Sequence, residues 1–244
     1  MTVSDPAVLF TSAPPDRLAA ALDAQPRLAN TFLSRSAAHG EEQWMPLHFA
    51  AHAGYVAAVD LLLTRGVHPD CRTRFTTPMH ARQTPLHLAA AAGHTATVAR
   101  LLDARAETDL RDAYQRTPLW LAARHRHPDV IRALLARHAD PDAADAQRRT
   151  PLHAALLPDS SFDPTPALLL LDAGADPNAP CPADPAGYTP LHRCVTLGDP
   201  ALPVAQALLA ADADPNLADP RHDRTPRRFA EHLNQIAYVS LFTA

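Results

Sequence analysis

Apolar residues recur along the chain in clusters spaced i, i+3 and i+4: Val59, Leu62 and Leu63, then Val98, Leu101 and Leu102, then Ile131, Leu134 and Leu135. That spacing places each triplet on one face of an α-helix. Before each cluster runs a second apolar face rich in small residues, such as Leu86, Leu88, Ala89 and Ala90, which lets a neighbouring helix approach closely. Gly93-His94 stops that first helix before the second begins. Each second helix is followed by a polar stretch with Asp, Pro and Asn, as in Gly174-Ala175-Asp176-Pro177-Asn178, which cannot be helical throughout. The pattern predicts units of two short helices and a turn, joined by polar loops.

The start of each unit is marked chemically. Thr-Pro-Leu-His or a near copy begins at Met45, Thr84, Thr117, Thr150, Thr189 and Thr225. Threonine at an N-cap accepts a hydrogen bond from an orphan backbone N–H, and proline directly after it sits where its missing donor costs nothing. The steps from Thr84 to Thr117 and from Thr117 to Thr150 are both 33 residues, and a fixed period of that length means stacked supersecondary units rather than one globular core. Function is therefore expected on a surface.

Thr84-Pro85-Leu86-His87-Leu88-Ala89-Ala90-Ala91-Ala92-Gly93-His94, the segment Leu170-Leu171-Asp172-Ala173-Gly174-Ala175-Asp176-Pro177-Asn178 and their copies resemble the ankyrin repeat family. The resemblance covers roughly Asp5 to the C-terminus. It implies an all-α solenoid of stacked helix-turn-helix units with projecting hairpin loops, and protein binding as the usual activity. Residues 1–44 are expected to form an N-terminal capping repeat, 45–224 five internal repeats, and 225–244 a C-terminal capping repeat whose Arg227 and Arg228 replace Leu-His on an outer face that must stay soluble. The motif histidines His48, His87, His153 and His192 are read as ring-to-backbone links between units, not as ligands.

The resemblance also locates a binding surface, at the hairpin tips and the exposed ends of the first helices. The residues preceding the Thr-Pro starts are Trp44, Gln83, Arg116, Arg149, Tyr188 and Arg224, a row rich in the types that dominate binding energy. Tyr114, Gln147, His52, Arg124 and His125 extend it. The same Trp, Arg and Tyr side chains could equally serve to cover the neighbouring loop. Two steps lengthen to 39 residues: one excess falls between Asp70 and Gln83 and carries Arg72, Arg74 and Phe75 on an expected projecting finger, and the other is shared between 157–164 and 179–185. Long loops of this kind are either functional or tolerated insertions.

Composition narrows the function classes. The chain has 244 residues, a formal charge of −4 and no apolar run long enough to span a bilayer. With no secretory start and three scattered cysteines, Cys71, Cys181 and Cys194, a cytoplasmic location is expected. All 22 basic residues are arginine, a bias that reads as a GC-rich bacterial genome rather than a mechanism. No metal site is expected: His125 and His127 point about 200° apart on a helix, and Cys181, His192 and Cys194 lack a fourth ligand. No nucleophile elbow, phosphate loop or zinc-protease helix is present, so neither an enzyme nor a cofactor is expected. The favoured reading is a protein-binding scaffold whose partner offers an acidic or hydrogen-bonding surface. Nucleic-acid binding through Arg72, Arg74, Arg82, Arg116, Arg148, Arg149, Arg221 and Arg224 is the alternative, opposed by the negative net charge and the few aromatics.

The alignment makes a backbone prediction. Gly66 and Gly174 end second helices where a left-handed residue is needed, and the aligned positions elsewhere are Arg105, His138 and Asp212. Arg105→Gly or His138→Gly should be neutral or stabilise by up to about 1 kcal/mol, and Gly174→Arg should destabilise by a similar amount, as read from chemical denaturation. Ordinary helical φ at both Arg105 and His138 would sink the alignment of those helix ends, though not the repeat reading.

Overall fold

The computed structural model describes residues 6–37, 40–75, 82–158, 162–181, 188–219 and 223–242. Among them are fourteen α-helices in seven consecutive pairs: α1 (Pro6–Ser12) and α2 (Pro15–Ala24); α3 (Pro46–Ala53) and α4 (Val56–Thr64); α5 (Pro85–Ala92) and α6 (Thr95–Asp103); α7 (Pro118–Arg124) and α8 (Pro128–Leu135); α9 (Pro151–Ala155) and α10 (Thr165–Asp172); α11 (Pro190–Leu197) and α12 (Leu202–Ala210); α13 (Pro226–His232) and α14 (Ile236–Leu241). To this helical stack the structure adds a small antiparallel sheet: β1 (Leu33–Ala37) pairs with β2 (Gly40–Trp44), and β2 with β3 (Arg74–Phe75).

The helix starts follow from the caps. The hydroxyls of Thr84, Thr117, Thr150 and Thr225 each accept from the backbone N–H three residues on. The left-handed ends also fall where the repeat alignment puts them, with φ of 63° at Arg105, 60° at His138 and 63° at Asp212, beside 80° at Gly66 and 85° at Gly174. A different glycine constraint operates at the turn inside a unit. A Cβ on Gly54 or Gly93 would lie 2.6 Å from the ring of His94 or His127 in the next unit. Those rings reach across to the carbonyls of His52 and Ala91, both at 3.0 Å.

Units are tied together at two further levels. In the polar turns a side chain of one unit accepts a backbone N–H of the next: Asp70 from Glu107 at 3.2 Å, Asp109 from Asp140 at 3.1 Å, Asp142 from Asp176 at 2.9 Å and Asn178 from Asp214 at 2.8 Å. In the core, first helices pack on first helices from α1 through α9, and second helices on second helices from α2 through α14. The buried pairs Ala50-Ala51, Ala89-Ala90 and Ala122-Ala123 let the first helices approach closely.

The motif histidines form the third tie. Nδ1 of His48, His87, His153 and His192 accepts the backbone N–H of the residue at the helix cap, at 3.1 to 3.3 Å. A ring that accepts at Nδ1 carries its hydrogen on Nε2 when neutral. Nε2 of His87 donates to the Arg116 carbonyl at 3.0 Å, that of His192 to Arg224 at 2.8 Å, and that of His48 to Cys71 and Gln83 at 3.1 and 3.2 Å. A second proton on such a ring would displace the cap N–H. Burial pushes His48 down from 6.5 to about 4 and lowers His87 as well.

This arrangement sets a pH dependence. Both histidines have lower proton affinity folded than unfolded, so the unfolded chain binds more protons between the two values, and stability rises with pH there. Their contribution is complete above pH 6.5 and is lost as pH falls toward about 4. For His48 alone the loss is about 3 kcal/mol. Urea midpoints measured from pH 7 to pH 4.5 should fall steadily. A midpoint that holds constant down to pH 5 would show that the rings are already protonated in the folded state.

Candidate functional site

The hairpin loops ahead of α7 and α9 are built around a buried carboxylate. Asp112, 1% exposed, accepts the backbone N–H groups of Tyr114 and Arg116 on Oδ1, both at 2.9 Å, and the Arg116 guanidinium on Oδ2 through Nε at 2.9 Å and Nη2 at 2.7 Å. Asp145 repeats the arrangement with Gln147 and Arg149: backbone bonds at 2.9 Å, then Nε at 2.9 Å and Nη2 at 2.8 Å. Between each Asp and its Arg one residue takes left-handed φ, Gln115 at 62° and Arg148 at 60°, which lets the chain reverse.

The arginines also stack. The Arg116 guanidinium lies 4.6 Å from the Tyr114 ring and 5.7 Å from Trp120, and that of Arg149 lies 5.4 Å from Trp120 on the next unit's side. Trp120 stands where four other units have the motif histidine, His48, His87, His153 and His192. Its indole N–H donates to the Arg149 carbonyl at 3.0 Å, replacing the histidine Nε2. Adjacent loops are cross-bonded: Arg72 Nη1 donates to the Arg111 carbonyl at 2.9 Å, Arg111 Nη1 to Ala144 at 2.5 Å, and the Ala146 N–H to Tyr114 at 2.9 Å. The result is a pre-formed strip of guanidinium and aromatic groups running through Tyr114, Arg116 and Arg149.

Of the residues expected on the binding face, this strip brings together Tyr114, Arg116, Gln147 and Arg149. Beside it lie half-buried Arg124 and exposed His125 at the end of α7. The His125 ring stacks near His127, with centroids 6.3 Å apart. Burial lowers the pKa of His125, and the neighbouring Arg124 and Arg116 guanidinium groups lower it further. His52 is exposed at the end of α3, and Gln83 is half-buried. Tyr188 and Arg224 belong to a separate group, in which Tyr188 stacks on His192 at 5.3 Å and 6°, packs against Phe229 at 5.3 Å, and faces Arg193 at 5.7 Å.

Three expectations need correction. Trp44 is not on a binding surface: it is 3% exposed at the end of β2, packed against Phe49 at 5.2 Å and His52 at 5.3 Å. Arg116 and Arg149 are not free surface charges, because each neutralises a buried aspartate in its own loop. The segment with Arg72, Arg74 and Phe75 does not simply project. Arg74 and Phe75 pair with Gln43 and Glu42, and the Arg74 guanidinium lies 4.3 Å over Phe32. Of Phe75 only the backbone is described, and 76–81 and 182–187, with Arg221, lie outside the described residues.

Trp120 and Arg193 were missed. The signal in both cases was a departure inside the Thr-Pro-Leu-His helix, Trp for His and Arg for an apolar residue. Among the described residues no group of three His, Cys, Asp or Glu side chains could hold a metal ion. Burial pushes the Cys71 thiol up to about 12 and raises Cys194 too, so both stay protonated near neutrality. No helix among the described residues is long and apolar enough to cross a membrane.

The loop geometry predicts a stability cost. Arg116→Ala leaves the buried Asp112 carboxylate with its two backbone donors and without its cation, and should destabilise by about 1–3 kcal/mol. Arg116→Ala with Asp112→Ala in a double-mutant cycle should show coupling. Strict additivity would mean that the pair is not an energetic unit.

Comparison with known proteins places the chain. The family model described as ankyrin repeats (3 copies) matches residues 18–112, 47–145 and 86–180, and that described as ankyrin repeat matches 186–220. Among solved structures, the crystal structure of the ankyrin repeat domain of Bcl-3, described as a unique member of the IkappaB protein family, superposes with a TM-score of 0.75 at 24% identity, covering 97% of this chain and 98% of that one. At that identity the likeness is one of fold. No curated protein matches in sequence. With family models matching most of its length, this chain belongs to the ankyrin repeat family.

Proposed function

We propose that the chain is a non-enzymatic protein-binding module, and that its partner docks on the loop tips and first-helix ends around Tyr114, Arg124, His125 and Gln147. The observation that carries this reading is the cross-bonded strip of Tyr114, Arg116 and Arg149. Its side chains are held in place before any partner arrives, which reduces the ordering cost of binding. Arg116 and Arg149 already share charge with aspartates, so the partner's acidic or hydrogen-bonding groups are met by the outer guanidinium edges and by Arg124 and His125. His52, Gln83 and, in the separate group, Tyr188 and Arg224 extend the face at its rim.

The nucleic-acid alternative gains nothing from this geometry. Arg116 and Arg149 are paired with carboxylates, so the strip's own positive footprint is reduced, although Arg72 and Arg111 keep their charge while bonded to backbone carbonyls.

A triple variant, Tyr114→Ala, Arg124→Ala and Gln147→Ala, tests the surface without touching the buried aspartates. Pull-down with mass spectrometry should recover a saturable protein partner with the wild type, and the variant should bind that partner at least roughly tenfold more weakly while keeping its helical circular dichroism. Equal affinity would remove this face. Binding to oligonucleotides that falls steeply with salt, with no protein captured, would favour the alternative.

A further inference from the structure

The first-helix row is not uniform. The close contact of α3 with α5, α5 with α7 and α7 with α9 is not repeated between α9 and α11. The sequence supplies a cause. The positions that hold Ala50-Ala51, Ala89-Ala90 and Ala122-Ala123 in earlier units hold Ala155-Leu156 in the fifth and Cys194-Val195 in the sixth, and Leu156 and Val195 are both fully buried. Where α9 meets α7 one partner still offers an Ala-Ala pair, whereas at α9 with α11 both partners carry a branched residue, Leu156 and Val195, which keeps the backbones from the approach that methyl groups permit. The α9 helix is also cut to five residues, and Pro158 follows where a further turn would be.

On either side of this junction the stack is tightly tied. Before it, the loops of the third to fifth units are cross-bonded through Arg72, Arg111 and Ala146. After it, the buried Tyr238 hydroxyl of α14 donates to the Cys194 and Gly198 carbonyls at 2.9 and 2.7 Å, and His192 reaches Arg224 at 2.8 Å. Across the junction itself, the packing of α10 on α12 is joined by the two bonds of Asn178, to the Asp212 carbonyl at 3.0 Å and from the Asp214 N–H at 2.8 Å.

We propose that the junction between the fifth and sixth units is a hinge, and that α11–α14 open and unfold as one block apart from α1–α10. In a stack held by nearest-neighbour interfaces, cooperativity breaks at the weakest interface. The hinge line falls between Arg149 and Tyr188, so opening would separate the two aromatic-arginine groups. The inference is independent of what either group binds.

Hydrogen exchange with mass spectrometry on the full chain tests it. Amides of α11–α14 should share one opening and exchange at least roughly tenfold faster than those of α5–α8, with a step between α9 and α11. A second readout uses Trp44 and Trp120, the only two tryptophans, both before the hinge. In urea, part of the far-ultraviolet circular dichroism should be lost before tryptophan fluorescence changes. Either of two results overturns the hinge: coincident transitions by both probes, or protection that declines smoothly from α14 inward as simple end fraying would give.

Discussion

A relay through one ring ties the inner units of this stack together. The cap residue's N–H donates to the histidine Nδ1, and the Nε2–H donates to a carbonyl at the end of the following loop. The start of a helix, the neutral state of a buried imidazole and the position of the next loop are thereby fixed together. Trp120 shows which part of the relay matters for stacking. An indole cannot accept the cap N–H, yet it keeps the donation across the interface, and the unit still packs in register.

Much of this was legible because it is local. Caps, turn residues and left-handed helix ends are set by residues within a few positions of one another, so the Thr-Pro starts and the strain at Arg105 and His138 could be read directly. Trp44 was misread because it ends a strand that the sequence pattern did not reveal: Leu33 of β1 pairs opposite it, and its ring packs on Phe49 and His52 of α3. For Arg116 and Arg149 the sequence reading did not include the ion pairs that each makes within its own loop. The acid four residues earlier was visible in the sequence, yet its near-complete burial was not, and burial is what turns a surface pair into a loop-building one. The loosened contact of α9 with α11 was written in the change from Ala-Ala to Ala-Leu and Cys-Val, a signal that only a stack geometry makes readable.

The arginine-only basic composition finds structural use whatever its origin. A guanidinium can fork onto a carboxylate with one edge and lie flat on a ring with its face, as Arg116 does with Asp112 and Tyr114. An ammonium could do the first only as a point charge. Arg72 and Arg111 each reach two backbone carbonyls from one nitrogen, Nη1, one carbonyl in their own loop and one in the next, which makes the tips a continuous edge rather than separate fingers.

The turn ladder of Asp70, Asp109, Asp142 and Asn178 has an evolutionary consequence. From the second unit to the sixth, one side-chain acceptor meets the backbone amide of the next turn in the same place each time. A gene duplication that inserted one more 33-residue unit between Thr117 and Thr150 would arrive with both halves of the joint already made. An array built this way can change length by whole units with its joints kept, whereas an insertion of any other size leaves the acceptor and the amide out of step.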